Sequence, residues 1–138
     1  MTTGSQDVIA GLGKGGVFDI TTTGRRSGEP RRLEIGYHVI DSCLYISGIP
    51  RPTRRAWLAN LDANPALTLH LRLPVPTDVA ATARIIDSEA ERLAVLPHVA
   101  RNWGRDYVEL MVRQSPLVEV VIGLEGYPAP GRAPLTVK

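Results

Sequence analysis

The chain has 138 residues, of which 43% are hydrophobic and 22% are charged, and its formal net charge is +2. These values are ordinary for a soluble protein with one core, and no apolar run reaches the roughly 18–20 residues of a membrane span. We expect a single domain over residues 1–138, in the cytoplasm because no secretory signal pattern is present.

The first 16 residues, MTTGSQDVIAGLGKGG, are expected to form a flexible segment. Gly11, Gly13 and Gly16 fit the spacing G-x-G-x-x-G, but that dinucleotide-binding fingerprint needs a strand before it and a helix after it. A strand-like run follows here, so we do not interpret these glycines as a nucleotide loop.

Three strands are predicted in succession. Residues 17–23, VFDITTT, are rich in β-branched side chains, and residues 24–29, GRRSGE, form a turn. Residues 32–40 alternate between apolar and polar side chains, as a strand with one buried face does. A second turn at residues 41–42 leads into the strand 43–47, which predicts an antiparallel meander.

A short helix is predicted at residues 54–62, with Thr53 as its N-cap. Trp57, Asn60 and Leu61 are spaced at i, i+3 and i+4, so they share one face of this helix.

Two further helices are predicted later in the chain. Ser88 and Glu91 form a capping box that begins a helix, and Pro97 should kink or interrupt it. Asp106 should cap one more short helix that ends near Gln114.

The remaining strands complete a barrel. Alternation predicts strands at residues 66–73 and 78–86, the apolar run LVEVVI predicts a strand at 117–122, and the tail 126–138 is expected to be loose or extended. About six antiparallel strands with short inserted helices define an α+β, mainly β fold, for which we expect a small, partly open barrel.

The arginines are concentrated in one part of the chain. Residues 25–55 hold seven arginines and three acidic residues, a local balance of +4, so the other residues sum to −2. Guanidinium groups bind phosphate and carboxylate oxygens in bidentate fashion, which favours a small anionic ligand over a long nucleic acid. The residues alone leave open the alternative of a solvated turn with exposed arginines and Trp57 in the core.

The histidines and the cysteine do not predict a metal site. Cys43 is the single cysteine, and His38, His70 and His98 lie far apart without zinc-ligand spacing. His38 and His70 lie on the polar faces of predicted strands, so we expect them at the surface.

Two segments resemble the deazaflavin-dependent nitroreductase family, whose members bind coenzyme F-420. TTTGRRSGEPRR at residues 21–32 is similar to the family pattern Thr-Thr-x-Gly-Arg-Lys/Arg-Ser/Thr-Gly-x-Pro-Arg. SGIPRPTRRAWLANLDANP at 47–65 is similar to a Ser-x-Gly-Gly loop followed, ten residues after its serine, by Trp-x-x-Asn-Leu-x-Ala-Asn-Pro. Ile49 and Pro50 replace the two glycines of that loop.

The resemblance implies a split β-barrel like that of pyridoxamine-phosphate oxidases, paired as a homodimer. It also implies that the turn holds the phosphate and glutamyl tail of the coenzyme, through Arg25, Arg26, Ser27 and Arg31. The second segment would line the phosphate linker and the deazaflavin ring, through Ser47, Gly48, Arg55, Ala56, Trp57 and Asn60. No catalytic residue is assigned; Glu34 and His38 are candidate groups on the substrate side, although exposed strand positions explain them better.

The function that the resemblance implies is hydride transfer from the reduced deazaflavin to an activated double bond, a quinone or a nitro compound. Its partner would be a small-molecule electron acceptor, with no nucleic acid involved. Two alternatives stay open: a coenzyme F-420 binding or storage protein without turnover, and an FMN-dependent reductase on the same fold.

Overall fold

Six strands and four helices make up the part of the chain that the computed structural model describes, residues 5–73 and 75–123. No helix in these ranges combines the length and the apolar character that crossing a membrane requires. In chain order the elements are α1 (Ser5–Leu12), β1 (Gly15–Thr23), β2 (Pro30–Ile40), β3 (Cys43–Ser47), α2 (Ala56–Ala63), β4 (Ala66–Leu71), β5 (Thr77–Ile85), α3 (Glu89–Trp103), α4 (Val108–Gln114) and β6 (Leu117–Ile122).

The six strands close into an antiparallel barrel in the order β1-β2-β3-β6-β5-β4, with β4 paired back to β1. This confirms the six predicted antiparallel strands, but the barrel is closed by the pairing of β4 with β1 and is not partly open as expected. The β1–β2 hairpin extends from the pair Gly15 and His38 to the pair Thr23 and Pro30. At about 3.3 Å per residue, its two ends lie roughly 26 Å apart.

Two hydrophobic cores lie on the two faces of β3. Leu44 and Ile46 belong to the larger core, to which all six strands contribute. Cys43 and Tyr45 belong to a smaller core formed with α3 and α4. Because both faces are covered, all five residues of β3 are buried.

The N-terminal segment differs from the expectation of a flexible stretch over residues 1–16, because residues 5–12 form α1. Val8, Ile9 and Leu12 of this helix are buried in the larger core, and the Leu12 carbonyl accepts a 2.8 Å hydrogen bond from the Tyr37 hydroxyl. These contacts come from tertiary packing, which local composition does not reveal. The predicted loose tail, 126–138, lies outside the described residues.

Two helices begin later than predicted. The N-cap of α2 is Arg55, not Thr53, and the N-cap of α4 is Tyr107, not Asp106. Neither Arg55 nor Tyr107 forms a side-chain capping hydrogen bond. Packing against the barrel therefore decides where these short helices begin.

Helix α3 begins as predicted and is not interrupted at Pro97, one of the two outcomes expected there. The Ser88 hydroxyl accepts a hydrogen bond from the Glu91 amide at 3.4 Å, which confirms the cap. The helix continues through Pro97 to Trp103. The residues on both sides of the proline are buried in the smaller core, and this burial offsets the one backbone hydrogen bond that proline cannot donate. They are Val95, Leu96, Val99 and Ala100.

Candidate functional site

The turn between β1 and β2 is held by its own backbone. The amide of Gly24 donates to the carbonyl of Glu29 and the amide of Gly28 donates to the carbonyl of Gly24, both at 2.8 Å. Gly28 has a φ of +73°, which favours glycine, and a Cβ at Gly24 would lie 2.7 Å from the Ser27 hydroxyl oxygen, so a side chain there would displace that hydroxyl. The turn is compact and leaves the side chains of residues 25 and 26 exposed.

Asn60 of α2 joins this turn to the helix. Its side chain is 7% exposed, its Oδ1 accepts from the backbone amide of Arg25 at 3.1 Å, and its Nδ2 donates to the Thr22 hydroxyl at 3.3 Å. The resemblance implied that Asn60 contacts the coenzyme. In the structure its amide is engaged by the protein on both sides, so its evident role is to position the turn against α2.

A groove of about 610 Å³ lies between the turn and α2, and we call it the arginine groove. Eight of the ten predicted site residues line it: Arg25, Arg26, Ser27, Arg31, Arg55, Ala56, Trp57 and Asn60. The rest of the lining is Gly24, Arg32, Leu33, Arg51 and Arg54.

The other two predicted residues do not line the arginine groove. Ser47 is buried, and its hydroxyl donates to the Pro116 carbonyl at 2.6 Å. Gly48 lies beside the guanidinium of Arg55, where a Cβ would lie 3.1 Å from Nη2. The same Nη2 donates to the Ile49 carbonyl at 2.6 Å, so Gly48 provides the space that places Arg55 in the groove.

Seven arginines line the groove with little compensating negative charge. Arg32 pairs with Asp19 at 2.9 Å and Arg54 with Asp62 at 3.4 Å. Within residues 5–73 and 75–123, no carboxylate pairs with the remaining five, which are Arg25, Arg26, Arg31, Arg51 and Arg55.

The pKa of the Arg55 guanidinium reflects its surroundings in the groove. Burial, and after it the charge of Arg51, lowers the pKa of Arg55. Both causes disfavour the charged form of a guanidinium, and an anion in the groove would favour it again. The lining of the groove therefore concentrates positive charge that no carboxylate among its described residues balances.

The cationic surface continues beyond the groove. A cavity of about 490 Å³ and another of about 550 Å³ adjoin it, and Arg54 and Arg55 line both of them. A ligand longer than the groove would still lie against guanidinium groups.

The resemblance did not cover the whole lining. Arg32, Leu33, Arg51 and Arg54 were not among the site residues that it implied, yet all four line the groove. The excess of positive charge over residues 25–55 was the signal that could have found the three arginines. Leu33 belongs to the strand that follows the turn and carries no such signal.

The candidate substrate-side groups lie elsewhere. Glu34 is exposed on the outside of the barrel and accepts a hydrogen bond from Arg72 at 2.6 Å. His38 lies at the far end of β2 and is 1% exposed, so the expectation of a surface histidine is wrong. The described lining of the arginine groove contains no carboxyl, imidazole, thiol or phenol group.

The barrel belongs to the split-barrel class, and solved structures share its fold. A Listeria innocua protein provisionally named a pyridoxamine 5′-phosphate oxidase has a TM-score of 0.61 at 13% identity, over 86% of this chain and 93% of that chain. A structure described as an F420-H2 dependent reductase has a TM-score of 0.53 at 21% identity, over 75% and 92%. A third, described as a domain-swapped dimer, has a TM-score of 0.54 at 22% identity, over 75% and 78%.

The chain belongs to the F420H(2)-dependent quinone reductase family, whose model matches residues 4–125. It is therefore an oxidoreductase, and the cofactor that the family implies is coenzyme F-420. This confirms the resemblance that the two arginine-containing segments indicated. No curated protein matches the chain.

Proposed function

We propose that the chain binds reduced coenzyme F-420 in the arginine groove and uses it to reduce a quinone, a nitro compound or an activated double bond. The observation that carries the proposal is the set of seven arginines, five of them without a carboxylate partner among the described residues, around a groove of about 610 Å³. Guanidinium forks match the oxygens of a phosphodiester and of carboxylates.

The residues of the groove fit the two ends of such a coenzyme. Arg25 and Arg26 of the turn and Arg31 of β2 are suited to its phosphate and acidic tail, and the adjoining cavities provide further arginines. Trp57 and Leu33 offer apolar surface for a flat ring, and both pack partly against the larger core, which holds them in place. When bound, the reduced coenzyme supplies a hydride; the protein orients the ring and excludes water from one of its faces.

The charge of the groove favours acceptors that become oxyanions when they are reduced. No described lining residue is an acid that titrates near neutral pH. Guanidinium groups can instead stabilise negative charge on a quinone oxygen, and solvent can supply the proton afterwards. Because the described lining supplies positive charge but no such acid, we expect quinones to be better electron acceptors than compounds that need a proton from the protein.

Titration of the protein with coenzyme F-420, followed by the fluorescence of the coenzyme, tests binding. We expect saturation at micromolar concentration, because three or four charge-assisted hydrogen bonds of about 1.5–3 kcal/mol each give that affinity. Steady oxidation of the reduced coenzyme with a panel of quinones, nitro compounds and enones tests turnover. Binding without any oxidation would indicate a storage protein, and the absence of binding would refute the proposal.

We also propose that the chain forms a homodimer. The support is the likeness to the structure described as a domain-swapped dimer. Sedimentation equilibrium should give twice the mass of one chain, and a monomer at all concentrations would contradict this.

A further inference from the structure

The side chains of the arginine groove offer a ligand hydrogen-bond donors and no free acceptor. In the described lining only Ser27 and Asn60 carry an acceptor oxygen. Ser27 Oγ already accepts from the Glu29 amide at 3.1 Å and from Arg31 Nη2 at 3.2 Å. Asn60 Oδ1 already accepts from the Arg25 amide at 3.1 Å. A ligand ring therefore meets N–H groups and must present acceptors of its own.

The donors of the groove are accessible to a ligand. Each guanidinium carries five N–H groups in a planar fork, so it can bind two acceptors on one ring edge or two oxygens of a phosphate. Four arginines of the lining are exposed and have no carboxylate partner within residues 5–73 and 75–123: Arg25, Arg26, Arg31 and Arg51.

The groove has room for a flat heterocycle beside a chain of phosphates. Trp57 and Leu33 are partly exposed in its lining and give a ring an apolar surface. The groove has a volume of about 610 Å³, and the two cavities that adjoin it are lined by Arg54 and Arg55. Sites of this size hold small-molecule ligands. None of these features requires a deazaflavin ring, so a nucleotide fits the same groove.

The lack of free acceptors distinguishes one nucleotide base from another. Guanine presents two acceptors side by side, N7 and O6, which a guanidinium binds in bidentate fashion. The same edge of adenine presents the acceptor N7 and the N6 amino donor. The described side chains of the groove have no free acceptor for that donor. The groove therefore favours guanine over adenine.

We propose that the arginine groove also binds guanine nucleotides, in competition with coenzyme F-420. The base packs against Trp57 with N7 and O6 toward a guanidinium, and Arg25 and Arg26 bind the phosphates. This inference rests on the proposed coenzyme site, and it makes guanosine diphosphate and guanosine triphosphate inhibitors of the reductase.

Displacement of coenzyme F-420 from the unsubstituted chain, followed by the fluorescence of the coenzyme, compares the nucleotides. Guanosine diphosphate should bind about tenfold more tightly than adenosine diphosphate, because one bidentate contact to a base gives at least that factor. Inosine diphosphate keeps N7 and O6 but lacks the 2-amino group, so it should match guanosine diphosphate. Guanosine monophosphate should bind more weakly and guanosine triphosphate more tightly, since each phosphate adds negative charge.

A direct titration needs no coenzyme. The chain has two tryptophans, and Trp103→Phe leaves Trp57 as the only indole. Contact with the base should quench Trp57 fluorescence. In this background Arg25→Ala with Arg26→Ala should weaken binding of guanosine diphosphate at least tenfold, whereas Arg101→Ala on α3 should leave it unchanged. The displacement series decides by itself should Trp103→Phe not fold.

Three results would overturn the proposal: no response to about 1 mM guanosine triphosphate, equal binding of the guanosine and adenosine diphosphates, or binding of inorganic triphosphate as tightly as guanosine triphosphate. Coenzyme binding without any nucleotide response would also overturn it and would leave the proposed function intact. A Trp57 response to guanosine diphosphate without coenzyme binding would refute the proposed function and support a nucleotide site.

Discussion

At the scale of single residues, His38 is an imidazole that folding keeps neutral. It is 1% exposed, and burial lowers its pKa from 6.5 to about 4. Between these two pH values the unfolded chain binds a proton that the folded chain does not bind. The free energy of unfolding therefore rises with pH between about pH 4 and pH 6.5. Above pH 6.5 the contribution of His38 no longer changes with pH.

We expect His38 to contribute about 3 kcal/mol to the fall in stability between pH 7 and pH 4, since one pKa unit corresponds to about 1.4 kcal/mol. Urea unfolding of the native chain and of His38→Gln at both pH values measures this difference. The variant should lose most of the pH dependence, whatever its stability at pH 7. Equal pH dependence in the two proteins would show that His38 does not titrate on unfolding.

At the scale of elements, the site depends on how α2 is attached to the β1–β2 turn. The amide of Asn60 makes this attachment through the Arg25 backbone and the Thr22 hydroxyl. A second asparagine, Asn64 at the end of the same helix, accepts from the Ala66 amide at 3.1 Å in an exposed position. The two asparagines make similar hydrogen bonds, but only Asn60 connects to the turn.

Asn60→Ala should lower the free energy of unfolding by about 1–3 kcal/mol, because it leaves buried groups without partners. It should also weaken coenzyme binding, since the turn loses its position. Asn64→Ala is the matched control and should leave binding unchanged. Urea unfolding and the coenzyme titration check both variants; native affinity in Asn60→Ala would mean that the turn holds its position without this link.

The strands and helices also show which structural features could be predicted from the sequence and why some of these predictions were wrong. The alternation in β2 and β4 is a local signal of a half-buried strand, so those strands were found to within two residues at each end. Thr53 and Asp106 have good capping side chains, but packing begins both helices further along the chain. Helix α1 was missed because its burial depends on contacts with residues far away in sequence, such as Tyr37.

At the scale of the whole molecule, the barrel brings two distant arginine-containing segments to one groove. Residues 24–33 and 51–60 both line it, although β2 and β3 separate them in sequence. The resemblance implied eight of the residues that line the groove, whereas residue types alone indicated only the cluster of arginines, because guanidinium chemistry is independent of the fold. They could not show that the Ser47 hydroxyl turns toward Pro116, since that depends on the end of β3 lying beside the chain that leads into β6.

The most direct test of the central claim compares coenzyme affinity in the native chain and in Arg25→Ala with Arg26→Ala. Both arginines are exposed at a turn, so the double variant should keep its melting temperature while coenzyme binding weakens by about 2–5 kcal/mol. Arg101→Ala on α3 removes an exposed arginine away from the groove and should bind normally. Unchanged affinity in the double variant, or a melting temperature that falls as sharply as the affinity, would contradict the assignment of the arginine groove as the coenzyme site.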